Sequence, residues 1–438
     1  VGNCINIHQQ LTPQSFGGSY QKPPNNFMKI LLSDHGLCLE LAITLARSGH
    51  DVGYYVTPVD KHSLHSIHQM GSGFEDEGVE RVYNFHSALD LSDVVVFPDT
   101  HNGDEVDWLR RRGYDVFGAG ETAEQLELDR WWAKQQMFTL PHNAATRVVG
   151  VENLMHKLRQ RGKDECYIKC SGFREIETFK HETWETTLEQ FIAPLLTEYG
   201  NDPTLEFIIE TPIDPAVEVG SDSLCNHGNW PVVKPYGYEA KDSAYLGKFN
   251  SSQLPNVLED VNVCITPHLA SATTFVSTEV RVTPSGMGYP VDLTIRAPHP
   301  PMAAMLEALN NLSDFIIFAA KGINKVVELS PRCAYAAVLV GTSGWADDHR
   351  MELVFEDKLR PYVKLFKSYK VGSSYYVLPS SSFACCVVGL GNTVDQAVKG
   401  CKMTADGVKG RELSFDFSSL DTIVSETIPQ GKKCGINF

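Results

Sequence analysis

Glu279-Val-Arg-Val-Thr-Pro-Ser-Gly-Met-Gly-Tyr-Pro-Val-Asp292-Leu-Thr-Ile-Arg296 reads as a hairpin whose strands separate polar from apolar residues. Side chains alternate at period two, so Val280, Val282, Val291, Leu293 and Ile295 share one face and Glu279, Arg281, Asp292, Thr294 and Arg296 the other. With Ser285-Gly286 as a two-residue turn, Glu279 falls directly across from Asp292. Facing carboxylates destabilise a sheet. This pair, with arginines and a threonine hydroxyl beside it, therefore points to a bound cation or a cationic ligand, and hard oxygens suit magnesium carrying phosphates. The other reading of the same pattern is an ordinary solvated outer face with the register displaced by a residue or two.

Upstream of the hairpin, Met28-Lys-Ile-Leu-Leu-Ser-Asp opens like the first strand of an α/β domain. Leu37 to Ser48 has helical spacing, Gly49-His50 ends that helix, and Val52 to Val56 is a second strand, which makes a βαβ unit. Further strands are expected at Asp93 to Pro98 and Tyr114 to Phe117, with a helix over Val106 to Arg112 between them. These pieces form a doubly wound parallel-sheet domain over about residues 28–125. A single helix from Glu121 to Phe138 follows, then strands at Tyr167 to Cys170 and Leu205 to Glu210. Downstream of the hairpin, Ala303 to Gly322 reads as one helix. Residues 331–438, with β-branched runs at Ala334 to Val340, Tyr375 to Leu378 and Phe383 to Gly389, read as a small α+β domain. The fold class expected is α/β and α+β, in several domains.

Composition bounds the function. The 438 residues exceed one ordinary core, and 42% hydrophobic with 21% charged residues is the balance of a soluble globular chain. A formal charge of -16 argues against a nucleic-acid surface, although a local basic cleft can still take phosphates. The eleven cysteines lack CxxC spacing, which disfavours a zinc site or a disulfide framework and suggests a reducing, cytoplasmic setting. No segment approaches the roughly 20 apolar residues that span a bilayer, so no membrane association is expected. Residues 1–27 are rich in Gln, Asn, Pro and Gly and lack periodicity. They read as an extension ahead of a natural start at Met28, one that could dock on a neighbouring chain in a homo-oligomer or larger assembly.

Taken in order, several segments resemble the ATP-grasp superfamily, and within it the glycinamide ribonucleotide synthetase type. Phe97-Pro98-Asp99-Thr-His101-Asn-Gly103 followed by Phe117-Gly118 is similar to that family's GPE and FGP segments. Leu126-Glu127-Leu-Asp-Arg130-Trp-Trp-Ala-Lys134 resembles its LExSKxFxK helix, with Arg130 in place of the first lysine, and Tyr167-Ile-Lys169-Cys-Ser-Gly172 resembles its VKxxG strand. Phe207 to Ile213 is similar to the hinge strand, and Asp292-Leu-Thr294-Ile-Arg296 to the ExNxR strand. The resemblance implies an ATP-grasp fold in which residues 126–330 bind nucleotide. It implies Arg130, Lys134, Lys169, Glu210 and Glu218 around ATP, Glu218 being the acid for the ribose, and Glu279, Asp292 and Thr294 around Mg2+. Arg296 then faces the transferred phosphate and Lys241 contacts phosphate beside Glu239. Asp34, His35, Asp99 and His101, at strand ends of the first domain, are expected at the substrate pocket together with Arg174. The activity implied is an ATP-dependent ligase joining a small carboxylate to an amine through an acyl phosphate.

Two departures qualify that picture. The glycine-rich loop expected after Lys169 is replaced by Phe173-Arg174-Glu-Ile-Glu-Thr-Phe179, which is poor at presenting consecutive backbone N–H groups to a phosphate. The N-terminal GxxGREH segment is replaced by Ser33-Asp34-His35-Gly36-Leu37, which disfavours phosphoribosylamine as the substrate. A noncatalytic structural or binding protein on the same fold is the alternative expectation. A dinucleotide-binding enzyme is weaker, because no GxGxxG follows Leu32.

Overall fold

The computed structural model describes residues 27–58, 64–172, 178–232, 234–250, 254–325, 334–342, 349–379 and 381–438. The extension at residues 1–26 and Arg174 lie outside these. The first sheet is parallel and comprises β1 (Lys29–Asp34), β2 (Asp51–Val56), β3 (Val79–Val82), β4 (Val94–Val96) and β5 (Val116–Phe117) in the order β3-β2-β1-β4-β5. Strand β1 is central and buried from Ile30 to Asp34, as a strand covered by helices on both faces must be. The chain leaves β1 towards β2 on one side and returns to β4 on the other. The loops after β1 and β4 thus flank a topological switch point, where such sheets bind ligands. Strand β3 is absent from the sequence reading because Val79-Glu-Arg-Val is too short to show a period.

A four-stranded antiparallel sheet follows, built from β6 (Ala145–Val149), β7 (Cys166–Cys170), β8 (Phe179–His181) and β9 (Glu206–Glu210) in the order β6-β9-β7-β8. It closes over its own core of Val148, Leu154, Leu158, Ile168, Phe191 and Phe207. The large sheet contains β10 (Val217–Asn226), β11 (Lys234–Ala240), β12 (Ala244–Asn250), β13 (Thr273–Val282), β14 (Gly288–Thr294) and β15 (Ala334–Gly341). Past β15 it is extended by β17 (Val363–Leu365), β20 (Phe383–Gly391) and β21 (Ser414–Phe415), while β16 (Met351–Leu353), β18 (Ser368–Val371) and β19 (Ser374–Val377) form a separate ribbon. Because β12 pairs with β15, strands that precede and follow residue 331 in the sequence belong to one sheet.

Two expected elements differ. The helix expected over Glu121 to Phe138 is two, Glu121–Leu128 and Arg130–Gln136, because Asp129 leaves the helical region and caps the second through Trp132 N–H at 2.9 Å. The helix expected over Ala303 to Gly322 is likewise two, Pro301–Ala308 and Leu312–Ala320, divided where Leu309 is extended before Asn310-Asn311.

Buried ion pairs fix the first sheet to the C-terminal part. Arg360 meets Glu40 at 2.8 Å and Glu77 at 3.0 Å, and Lys364, almost wholly enclosed, meets Glu307 at 2.5 Å. Charges this buried persist only when paired. Cys385 and Cys386 are wholly buried, and the described cysteines form no disulfide. Among the described residues no helix is long and apolar enough to cross a membrane.

Candidate functional site

The hairpin of β13 and β14 carries a bulge. Val282 pairs with Gly288 and Val280 with Pro290, but Glu279 pairs with Asp292, so Val291 is the extra residue. The bulge moves Val291 out of the apolar face on which simple alternation places it, and Pro290 is buried there instead. Val280, Val282, Leu293 and Ile295 are buried. Glu279 stands opposite Asp292, with the Val291 carbonyl turned to accept a hydrogen bond from Lys169 Nζ. That bond ties the four-stranded sheet to the hairpin.

Around it lies a cationic wall. Glu210, at the end of β9, takes Lys134 Nζ on one carboxylate oxygen and Lys169 Nζ at 3.4 Å on the other. Lys134 Nζ also donates to Asn143 Oδ1 at 2.7 Å. Burial alone would raise the Glu210 carboxyl, but the two ammonium groups outweigh it and hold it below the ordinary carboxylate range. Burial draws the Lys169 ammonium down, with Glu210 opposing and Arg130 and Lys134 adding to the shift. Two residues beside the helix break reach the strand that leaves the hairpin. Arg130 pairs with Asp292, while Glu127 accepts from Ile295 N–H at 2.7 Å and from Arg296 Nε at 2.8 Å.

The opposite wall is anionic. Glu218, Asp222, Glu239 and Glu279 line a small enclosed cavity with Gly220, Tyr245 and Ser277. Alternation puts them together, since β10 presents Glu218, Gly220 and Asp222 on the face where β13 presents Ser277 and Glu279. Gly247, Gly237 and Gly220 are register partners in a row that leads to Glu279 and Asp292. The Tyr245 ring covers two of these glycines, and a Cβ would come within 2.7 Å of it at Gly237 and 2.5 Å at Gly247. Its hydroxyl donates to Asp222 Oδ2. Burial pushes Asp222 up to about 6 against the pull of Tyr245 and Ser277. Burial, reinforced by Glu218, brings Glu279 to about 7, and burial with Glu279 and Asp222 nearby drives Glu239 well above its usual value.

At the switch point of the first sheet, His35 Nδ1 and Asp99 Oδ2 are 3.0 Å apart, and Arg296 Nε lies 3.9 Å from Asp99 Oδ1. His35, Asp99 and Arg296 are thus brought together, and His101 sits in the same loop as Asp99 with a positive φ of 68°. Asp34 is wholly buried. It accepts from Tyr54 Oη at 2.6 Å and Gly36 N–H at 3.0 Å, and also from Cys38 N–H, so its carboxylate holds the loop after β1 and does not open on the cleft. Burial raises its pKa despite these donors. Thr294 pairs with Ser277 across the hairpin, and Lys241 is exposed on the turn after β11, close enough to lower the titration of Glu239 and Glu279. Sequence reading missed Glu127, Asn143, Asp222 and Tyr245 as site residues. Alternation along Val217–Asn226 carries a signal for Asp222, whereas Asn143 and Tyr245 depend on long-range packing.

No protein-family model matches the sequence, and no curated protein matches it. Solved structures do match the fold. A phosphoribosylamine–glycine ligase from Thermotoga maritima superposes with a TM-score of 0.66 at 16% identity, covering 88% of this chain and 98% of its own. Biotin carboxylase from Campylobacter jejuni, solved as a β,γ-ATP complex, gives 0.62 at 13% identity over 92% and 96% of the two chains. N5-carboxyaminoimidazole ribonucleotide synthetase from Thermotoga maritima gives 0.56 at 14% identity over 88% and 99%. These structures are ATP-grasp enzymes, and over nearly its whole described length this chain has the ATP-grasp fold, in a form highly divergent in sequence.

Proposed function

We propose that this chain is an ATP-dependent ligase that phosphorylates a small carboxylate and lets an amine displace the phosphate, giving an amide, ADP and inorganic phosphate. The carrying observation is the convergence of Lys134 and Lys169 on Glu210, joined to the hairpin where Lys169 bonds the Val291 carbonyl and Arg130 pairs with Asp292. ATP brings several negative charges and a cation. The cationic wall offsets phosphates, and the facing Glu279 and Asp292 offer oxygens to the metal.

The donor set fits magnesium. Mg2+ bound with a nucleotide needs only one or two carboxylates, and among the described residues no group of three or more His, Cys, Asp or Glu is arranged to hold a metal. A cation also relieves the crowding that raises Glu279. Bound there, magnesium supplies charge stabilisation across the nucleotide phosphates. In this reading Arg130 moves from Asp292 to a phosphate, Arg296 faces the group transferred, Glu218 serves the ribose, and Lys241 contacts phosphate from its turn beside Glu239. His35, Asp99 and His101 bound the pocket for the carboxylate and amine. Ser33 to Leu37 occupy the place of the phosphate-binding loop of the phosphoribosylamine ligases, which favours a different amine.

The test is ADP release from MgATP against panels of carboxylates and amines, amino acids first. Asp292→Ala is expected to abolish turnover while leaving the melting transition in place. A wild-type protein that binds no nucleotide at millimolar ATP would remove the ligase reading. It would favour a noncatalytic module, for which the pairing of Arg130 with Asp292 already closes the site.

A further inference from the structure

Arg296 is held by a carboxylate from another element. Glu127 is the next-to-last residue of the helix Glu121–Leu128 and is mostly buried. One of its oxygens fixes the backbone at Ile295 N–H at 2.7 Å, and the other accepts from Arg296 Nε at 2.8 Å. A carboxylate that binds both the backbone and the side chain of adjacent residues fixes where the guanidinium stands as well as its charge environment. Asp99 lies 3.9 Å from the same Nε and meets His35 at 3.0 Å, so the guanidinium is flanked by a second acid that belongs to the loop after β4. The helix break at Asp129 is part of the device. It separates Glu127 from Arg130, and the two reach different points of the same strand, Ile295-Arg296 and Asp292.

We propose that Glu127 is the positioning residue for Arg296, aiming its guanidinium at the terminal phosphate of the bound nucleotide. This rests on the ligase reading above, in which Arg296 faces the phosphate transferred. Glu127 itself touches no reacting atom. Its effect should therefore be specific to the third phosphate, because in that reading a nucleoside diphosphate ends short of Arg296.

The test is calorimetric titration of the full-length protein with MgADP and with the nonhydrolysable triphosphate MgAMP-PNP. Loss of one charge-assisted hydrogen bond corresponds to roughly tenfold or more in affinity. Glu127→Ala and Arg296→Met are each expected to weaken AMP-PNP by about that factor, with ADP affinity little changed. The double variant should lose no more than either single one, because both changes remove the same contact. Glu127→Gln, which keeps the shape and one acceptor oxygen, should recover part of the preference and provides the readout if the alanine variant is poorly folded. Equal losses for both nucleotides in Glu127→Ala and Glu127→Gln would make Glu127 merely structural and overturn the proposal. So would an Arg296-dependent preference for AMP-PNP that survives in Glu127→Gln and Glu127→Ala alike. Wild-type protein that binds neither nucleotide would overturn the ligase reading itself, and the positioning role with it.

Discussion

On the wall built from β7, β9 and the helix Arg130–Gln136, Glu210 receives both Lys134 and Lys169, whereas on the wall built from β10, β11 and β13 the carboxylates of Glu218, Asp222, Glu239 and Glu279 share one cavity. The consequences run in opposite directions. Glu210 is held below the ordinary carboxylate range, while Asp222 is raised to about 6 and Glu279 to about 7. Burial is common to both, so the difference comes from the neighbours. Opposite charges outweigh desolvation on one wall, whereas on the other burial prevails over the hydrogen bonds at Asp222 and is reinforced by Glu218 at Glu279. The paired wall has a fixed geometry and an excess of positive charge, two lysines on one glutamate, and the crowded wall gains most from an added cation. Magnesium-ATP is a ligand whose two ends match these two needs.

The largest effect expected from breaking this contrast is on the paired wall. Glu210→Ala leaves two buried lysines without their shared acid and should cost about 3–5 kcal/mol of stability, measured by urea unfolding. Next come the glycines on the crowded wall. Gly237→Ala drives a Cβ to 2.4 Å from the Leu246 carbonyl oxygen and 2.7 Å from the Tyr245 ring, and should cost about 1–3 kcal/mol. Gly220→Ala meets nothing closer than 3.4 Å and should change stability by less than about 1 kcal/mol. If both alanines are tolerated equally, the close packing of Tyr245 over the glycine row is disproved.

A smaller effect is expected from pH. Between the unfolded value of 3.8 and about 6, folded protein retains on Asp222 a proton that the unfolded chain has released. Its contribution therefore makes stability fall as pH rises through that window and stay level above it. Asp222→Asn should remove this slope and stabilise the metal-free protein at pH 8 by about 1–3 kcal/mol. Unchanged unfolding curves at pH 4 and pH 8 would show that burial does not raise Asp222 in the folded protein.

Much of the fold was legible because its strongest signals are local. The run Lys29–Asp34, the helix after it and the alternation of the hairpin each follow from short-range pattern. What was not legible required partners distant in sequence. Strand β11, which contains Pro235 and Gly237, is held by β10 and β12 on either side, with Tyr245 filling the room over its glycine. The bulge at Val291 shifts the face of one residue in a way that alternation cannot anticipate. In the site, Asp292 stood out from the alternation of the hairpin, while Lys134 and Lys169 followed from the resemblance to the ATP-grasp superfamily. The burial of Asp34 and the grip of Glu127 on Arg296 are set by contacts across elements, which no periodicity reports.

If the two walls together form a magnesium-nucleotide site, titration of the full-length protein with ATP in the presence and absence of Mg2+, for wild type and for Asp292→Ala, reveals it. Wild type is expected to bind saturably and at least about tenfold more tightly with magnesium, and the variant to lose that magnesium dependence. ATP binding by wild type that is indifferent to magnesium, or no binding at all, would rule the shared site out.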